Sequence, residues 1–134
     1  MAIEQYEFAV TKDKIPHAAH EYHAEFGARI TFEGVVRGLE GERVISGIDY
    51  SCYSEMLQAK ADRLFEHGRT KFGGHWVSMI HRLGFVPVTE PSVRIEVSRR
   101  NSEECFEICR WYLRALKEEL PIWKKPIFAS KDAS

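Results

Sequence analysis

Cysteine is scarce in this chain. It occurs three times, as Cys52, Cys105 and Cys109, and an odd number without a CxxC spacing excludes a disulfide framework or a zinc knuckle. Free cysteine behaves as a small hydrophobe, so burial is the expected role. An excess of either charge is also missing: 19 Lys and Arg face 20 Asp and Glu, for a formal net charge of −1. Such a chain has no global attraction for nucleic acid or an anionic membrane, and an anion site has to come from local clustering. Long apolar runs are missing too. No stretch approaches the ~20 apolar residues of a membrane span, and the start Met-Ala-Ile-Glu-Gln-Tyr-Glu lacks the pattern of a signal peptide. A cytoplasmic protein is expected. Repeats, low-complexity runs and linkers are absent, so the 134 residues suit one domain over 1–134 with one core.

Periodicity supplies the elements. A short strand is expected over residues 6–10. A helix follows over 15–26, entered after Asp13 through Pro16, a residue favoured in a first helical turn. That helix carries His17, His20 and His23. Zinc proteases use H-E-x-x-H, but His20-Glu21-Tyr22-His23 is one residue short and its rings diverge. His17 and His20 share a face without a third ligand, whereas zinc sites take three or four. A solvated face is the expectation, with no metal.

Residues 27–38 alternate as a strand, with Ala28, Ile30, Phe32, Gly34 and Val36 on the core side. After a turn at Gly38-Leu39-Glu40-Gly41-Glu42, residues 44–53 alternate again, setting Val44, Ile48, Tyr50 and Cys52 against Ile45, Asp49, Ser51 and Tyr53. The two read as an antiparallel hairpin. A second helix is expected over 55–72, with Met56, Leu57, Ala61, Leu64 and Phe65 on its stripe and its end near Gly68. Residues 75–85 are strand-like around Val77-Ser78-Met79-Ile80, and 87–91 form a turn. Residues 92–100 place Val93, Ile95 and Val97 inward and Arg94, Glu96 and Ser98 outward. Asn101 or Ser102 caps a third helix, supported by Glu103 and Glu104 in its first turn. Its stripe reads Phe106, Cys109, Leu113 and Leu116, flanked by Ile108 and Tyr112. Strands and helices mix without a βαβ rhythm, which favours an α+β fold with helices on a mainly antiparallel sheet.

The chemistry concentrates in Leu116-Lys117-Glu118-Glu119-Leu120-Pro121-Ile122-Trp123-Lys124-Lys125. Pro121 stops the helix that carries Lys117, and the exit returns Lys124 towards it. Two ammonium groups beside Ile122 and Trp123 could form a partly desolvated anion site. Lysines at a helix C-terminus also simply favour its dipole and snorkel over apolar surface. Spacing leaves both readings open. Arg37, at a strand end, is in a position where an arginine is usually solvated, and one that also suits a phosphate fork.

These segments resemble one family, the large, catalytic subunit of molybdopterin synthase (MoaE-like). The resemblance runs over residues 27–126. It is carried by Phe32-Glu33-Gly34-Val35-Val36-Arg37, by Ile48-Asp49-Tyr50-Ser51-Cys52-Tyr53-Ser54-Glu55-Met56, by Ile80-His81-Arg82-Leu83-Gly84, by Glu90-Pro91-Ser92-Val93 and above all by the lysine segment. It implies an α/β hammerhead-like fold and a homodimeric core within a heterotetramer. It also implies a small ubiquitin-like sulfur-carrier subunit whose C-terminal thiocarboxylate enters the site. The implied substrate is cyclic pyranopterin monophosphate, converted into the dithiolene of molybdopterin in molybdenum cofactor biosynthesis. No cofactor is implied.

By the same resemblance Lys117 and Lys124 are catalytic. Arg37, with Val35 and Val36 before it, contacts substrate, and Lys125 follows the second lysine as in the family. The family's His-Arg pair, often supplied across protomers, falls on Asn101-Ser102 here, with Arg100 just upstream. Those three positions are assigned to substrate binding. The family's acidic residues fall on Ser51 and Pro126, and its Gly-and-Trp tail is largely absent. A second reading follows from these departures: a degenerate relative that binds the carrier or a pterin without turnover. A nucleic-acid module built on Arg99-Arg100 and Lys124-Lys125 is opposed by the net charge.

Overall fold

The computed structural model describes residues 5–18 and 21–129. Eight strands and two helices follow in the order β1 (Gln5–Thr11), β2 (Ala28–Val35), β3 (Leu39–Glu40), β4 (Arg43–Cys52), α1 (Ser54–Phe72), β5 (Trp76–Arg82), β6 (Gly84–Pro87), β7 (Pro91–Arg99), α2 (Ser102–Glu119) and β8 (Ile122–Phe128). The α+β expectation holds, with two sheets in place of one. The first has the order β1-β5-β7-β2; β1 runs parallel to β5 and the other pairs are antiparallel. In the second, β4 pairs with β3, β6 and β8, all antiparallel.

The expected hairpin between the second and fourth strands does not form. β2 pairs with β7, and β4 reverses through Gly41, at φ +63, onto the two-residue β3 instead. A tight turn with a left-handed glycine closes this short hairpin. β2 meanwhile takes the open edge of the long apolar strand β7. The alternation of β4 also breaks: Ile45 is buried and Val44 is exposed, opposite to expectation. A register irregularity between Ile45 and Gly47 explains the change of phase, since an extra residue swaps the faces beyond it.

The main core lies between the first sheet and the two helices. Leu57, Ala61, Leu64 and Phe65 of α1 meet Val77 and Met79 of β5, Val93, Ile95 and Val97 of β7, and Cys105, Ile108, Cys109, Tyr112, Ala115 and Leu116 of α2. The α2 stripe is thus rotated from the one expected, and Phe106 is exposed. Cys105 and Cys109 are buried, as expected. Met56 is exposed, and α1 runs on through Gly68 to Phe72. Gly68 sits where a Cβ would lie 2.3 Å from the Tyr112 hydroxyl oxygen. The glycine is there to let Tyr112 in. The Tyr112 hydroxyl donates to His75 Nε2 at 2.6 Å, while Nδ1 of that ring donates to the Gly73 carbonyl at 2.7 Å.

Residues 15–18 and 21–26 are not helical. His20 lies outside the described residues, and among those described no His, Cys, Asp and Glu cluster has a metal-binding arrangement. The reason for the lost helix lies on the sheet beneath. Glu96 and Ser98, expected outward, are buried. Arg94 meets Glu96 at 2.9 Å and Arg29 approaches it at 3.9 Å. Arg94 also donates to the Pro16 carbonyl and Arg29 to the Glu21 carbonyl. A helix would commit those carbonyls internally; the irregular backbone keeps them for the part-buried guanidinium groups of Arg94 and Arg29, which need acceptors. Arg29 is further held by Ser98 Oγ at 3.0 Å and by the faces of Tyr22 and Trp76.

Candidate active site

α2 ends where its sequence dictates. Leu120, extended at φ −84 and ψ 137, closes the helix as its N–H bonds to the Leu116 carbonyl. Pro121 follows, and the Pro121 carbonyl accepts from the Tyr53 N–H at 3.0 Å, which pins the chain to the end of β4. The exit then becomes β8, a strand not anticipated because Lys-Lys-Pro reads as loop. Pro126 is tolerated there because β8 pairs with β4 alone and an edge strand can spare one N–H. Tyr50 faces Lys124 and Asp49 faces Lys125 across this pair.

A cavity of about 550 Å³ opens where the first sheet, the second sheet and the C-terminal end of α2 meet. Its walls come from all three. Phe32, Gly34, His81 and Val93 represent the first sheet; Ile45, Ile48, Tyr50, Ile122 and Lys124 the second; Leu113, Leu116 and Lys117 the helix. Arg37 and Val36 join them from the loop after β2, with Val35 from the end of that strand. That loop is braced on both sides. The Val36 N–H donates to the Glu90 carbonyl at 3.1 Å and the Val36 carbonyl accepts from Thr89 at 2.7 Å. Beyond Arg37, the Gly38 carbonyl accepts from Ile45 at 3.0 Å. Glu90 is itself held by Arg82 at 2.8 Å. The brace fixes where Arg37 starts.

Arg37, Lys117 and Lys124 are exposed residues that line the mouth. Among the described residues none is in an ion pair with a carboxylate. Glu40 is the one carboxylate on the wall, so the cavity carries three fixed cations against one anion. Its volume suits a small molecule, and its charge suits one bearing about two negative charges in total. The apolar remainder, Phe32, Ile45, Ile48 and Val93, suits a flat ring.

The structure therefore brings together Lys117, Lys124, Arg37, Val35 and Val36. It does not bring Lys125 there: strand alternation turns Lys125 to the other face of β8, beside Asp49. Arg100, Asn101 and Ser102 lie at the far end of α2. Eighteen helical residues span about 27 Å, so these three cannot reach the same cavity in one chain. Asn101 caps the helix, its side chain accepting from the Glu104 N–H at 2.9 Å. Arg100 bonds Glu104 at 3.1 Å and Arg99 meets the same carboxylate at 3.5 Å. Both arginines are thus engaged, and they hold Glu104 down to about 2. Sequence reasoning missed His81 and Glu40 as wall residues. The signal for His81 was available: it stands in phase with Val77 and Met79, where an apolar residue belongs.

Comparison with known proteins identifies the family. The chain matches the family described as MoaE protein over residues 7–119. It is 34% identical over 108 residues to the molybdopterin synthase catalytic subunit of Thermoplasma volcanium, covering 81% of this chain and 79% of that one. It is 37% identical over 109 residues to the Bos taurus molybdopterin synthase catalytic subunit, where the match spans 81% of this chain but 57% of the longer bovine one. Among solved structures, molybdopterin synthase from Staphylococcus aureus superposes with a TM-score of 0.76 at 26% identity, covering 81% of this chain and 80% of that chain. The complex of subunits 1 and 2 of molybdopterin-converting factor from Helicobacter pylori shares the fold, with a TM-score of 0.63 at 24% identity over 80% of this chain and 74% of that one. The chain belongs to the MoaE family, the catalytic subunits of molybdopterin synthase.

Proposed function

We propose that this chain acts as one catalytic-subunit domain, a sulfurtransferase that converts cyclic pyranopterin monophosphate into the dithiolene of molybdopterin. The sulfur comes from the C-terminal thiocarboxylate of a small ubiquitin-like carrier subunit. The observation that carries this reading is the convergence of Arg37, Lys117 and Lys124 on one cavity of about 550 Å³. The charges match. A cyclic phosphodiester brings one negative charge and a thiocarboxylate another, against a wall that carries two net positive charges with His81 neutral.

The roles follow from position. Arg37, on its braced loop, offers a planar fork to the phosphate. Lys117 and Lys124 stabilise charge where the cyclic phosphate opens and where oxygen leaves carbon, because fixed cations at developing charge lower the barrier. An ammonium can also hand its proton to the departing oxygen. The thiocarboxylate sulfur forms the carbon–sulfur bond, and water then cleaves the resulting thioester to leave the carrier with an ordinary carboxylate. Two rounds install both sulfurs.

Asn101, Ser102 and Arg100, about 27 Å along α2 from the cavity, serve substrate only if a second copy presents them. Such a copy is what the family resemblance implies, a homodimer within a heterotetramer with two carriers. Lys125, on the opposite face of β8, serves the carrier or the fold before it serves the pterin. The test is turnover: purified protein, thiocarboxylated carrier and cyclic pyranopterin monophosphate are mixed and dithiolene is measured. Carrier binding without product would instead support a relative that binds and does not turn over.

A further inference from the structure

We propose that His81 contacts the substrate, presenting a hydrogen-bond acceptor to an N–H group of the pterin in the cavity. This rests on the molybdopterin synthase reading and adds a recognition element that the lysines and Arg37 do not supply. Those three cations can only donate, and they hold anions. A pterin ring also carries N–H donors, which need acceptors once water is displaced.

Four observations place the acceptor at His81. The residue lines the cavity although it is 5% exposed. It continues the inward row Val77 and Met79 on β5, both of which are core. A polar side chain there costs desolvation that a leucine would not. The ring is also fixed in one tautomer: Nδ1 lies 2.8 Å from the Arg82 carbonyl. A carbonyl only accepts, so Nδ1 carries the hydrogen and the lone pair of the neutral ring is on Nε2. Tyr50, another wall residue, crosses the imidazole at 4.9 Å and 69°, which sets its plane. Burial pushes the His81 pKa down, which keeps the lone pair available at neutral pH. The other polar wall groups differ: Ser92 already donates to the Gly34 carbonyl at 3.3 Å, and Glu40 stands on β3 beside the entry loop.

The experiment compares wild type, H81F and H81Q by equilibrium binding of two probes, cyclic pyranopterin monophosphate and a ribose cyclic phosphodiester that has no pterin. H81F removes the acceptor and keeps a ring; H81L takes its place if H81F does not fold. Expected is a loss of about 10-fold or more for the pterin probe, with the phosphodiester unchanged. H81Q, whose amide oxygen can accept, should recover most of the loss. Equal pterin affinity in H81F and wild type overturns the inference. So does a parallel loss of both probes, which would mean that His81 merely supports the fold. If wild type itself neither binds the pterin probe nor yields dithiolene, the reading of the whole site fails, and that result is visible in the control arm.

Discussion

Lys124 and Lys125 are adjacent lysines that the family resemblance assigns to catalysis and to substrate binding, and the structure turns them to opposite faces of β8. On β8, Lys124 shares a face with Ile122 and lines the cavity, whereas Lys125 does not. The register that decides this is pinned by Tyr50 opposite Lys124 and by the bond from the Tyr53 N–H to the Pro121 carbonyl. A slip of one residue would exchange the two. Lys124→Ala removes a charge-assisted bond to an anionic ligand, about 1.5–3 kcal/mol. At 1.4 kcal/mol per tenfold this predicts a loss of substrate affinity of about 10- to 150-fold. Lys125→Ala removes a charge that is not on the cavity wall, and an exposed charge acting from outside the site is worth at most about 1 kcal/mol, so substrate affinity falls by less than about fivefold. Calorimetric titration of cyclic pyranopterin monophosphate into both variants at one fixed ionic strength measures the difference, since added salt weakens exposed charges. Equal losses, or a larger loss at Lys125, would refute the geometry of β8 and with it the placement of the cavity wall.

Three further predictions concern the frame. Gly68→Ala should destabilise the fold by about 1–4 kcal/mol. A helix-propensity gain of about 1 kcal/mol is outweighed by overpacking of about 1–3 kcal/mol and by disturbance of the buried Tyr112–His75 bond; a variant melting higher than wild type would contradict this. Glu96→Ala leaves Arg29 and Arg94 without their buried carboxylate and should cost about 3–5 kcal/mol in denaturant unfolding, and a loss below about 1 kcal/mol would show that the fold does not depend on this cluster. Glu104 is depressed from 4.5 to about 2 by Arg100 and Arg99. A depressed carboxylate contributes stability above its unfolded pKa that is lost as pH falls through the folded value. Wild type should therefore lose more stability than Glu104→Gln between about pH 4.5 and 2, and parallel acid profiles would argue against the pairing.

Much of this fold was legible because burial imposes periods. Val93, Ile95 and Val97 gave β7, and Asn101 with Glu104 gave the start of α2. The misreadings have physical causes. Residues 15–26 carry helix-compatible residues, but two part-buried arginines on the sheet claim carbonyls there, Arg94 from β7 and Arg29 from the start of β2, and no local periodicity reveals that demand. The hairpin was inferred from adjacency, whereas β2 pairs with the well-buried strand β7. Phe106 was placed in the core by the stripe it forms with Cys109, Leu113 and Leu116, and packing instead chose the neighbouring row through Cys105, Ile108 and Tyr112. For the site, Lys117, Lys124 and Arg37 were identified by resemblance, and the cavity gives their grouping a geometric basis. Lys125 was separated from Lys124 only by β8, a strand hidden beneath Lys-Lys-Pro. His81 could have been found from the alternation of β5, where a polar residue occupies an apolar phase.

The central claim is that Lys117, in the last turn of α2, acts at the reacting atoms. Single-turnover dithiolene formation by wild type and Lys117→Ala, each saturated with thiocarboxylated carrier and cyclic pyranopterin monophosphate, tests it most directly. Product is expected from wild type and a rate at least ~100-fold lower from the variant, as for loss of a group that stabilises transition-state charge, with the melting temperature unchanged. A variant that forms dithiolene at the wild-type rate would contradict it.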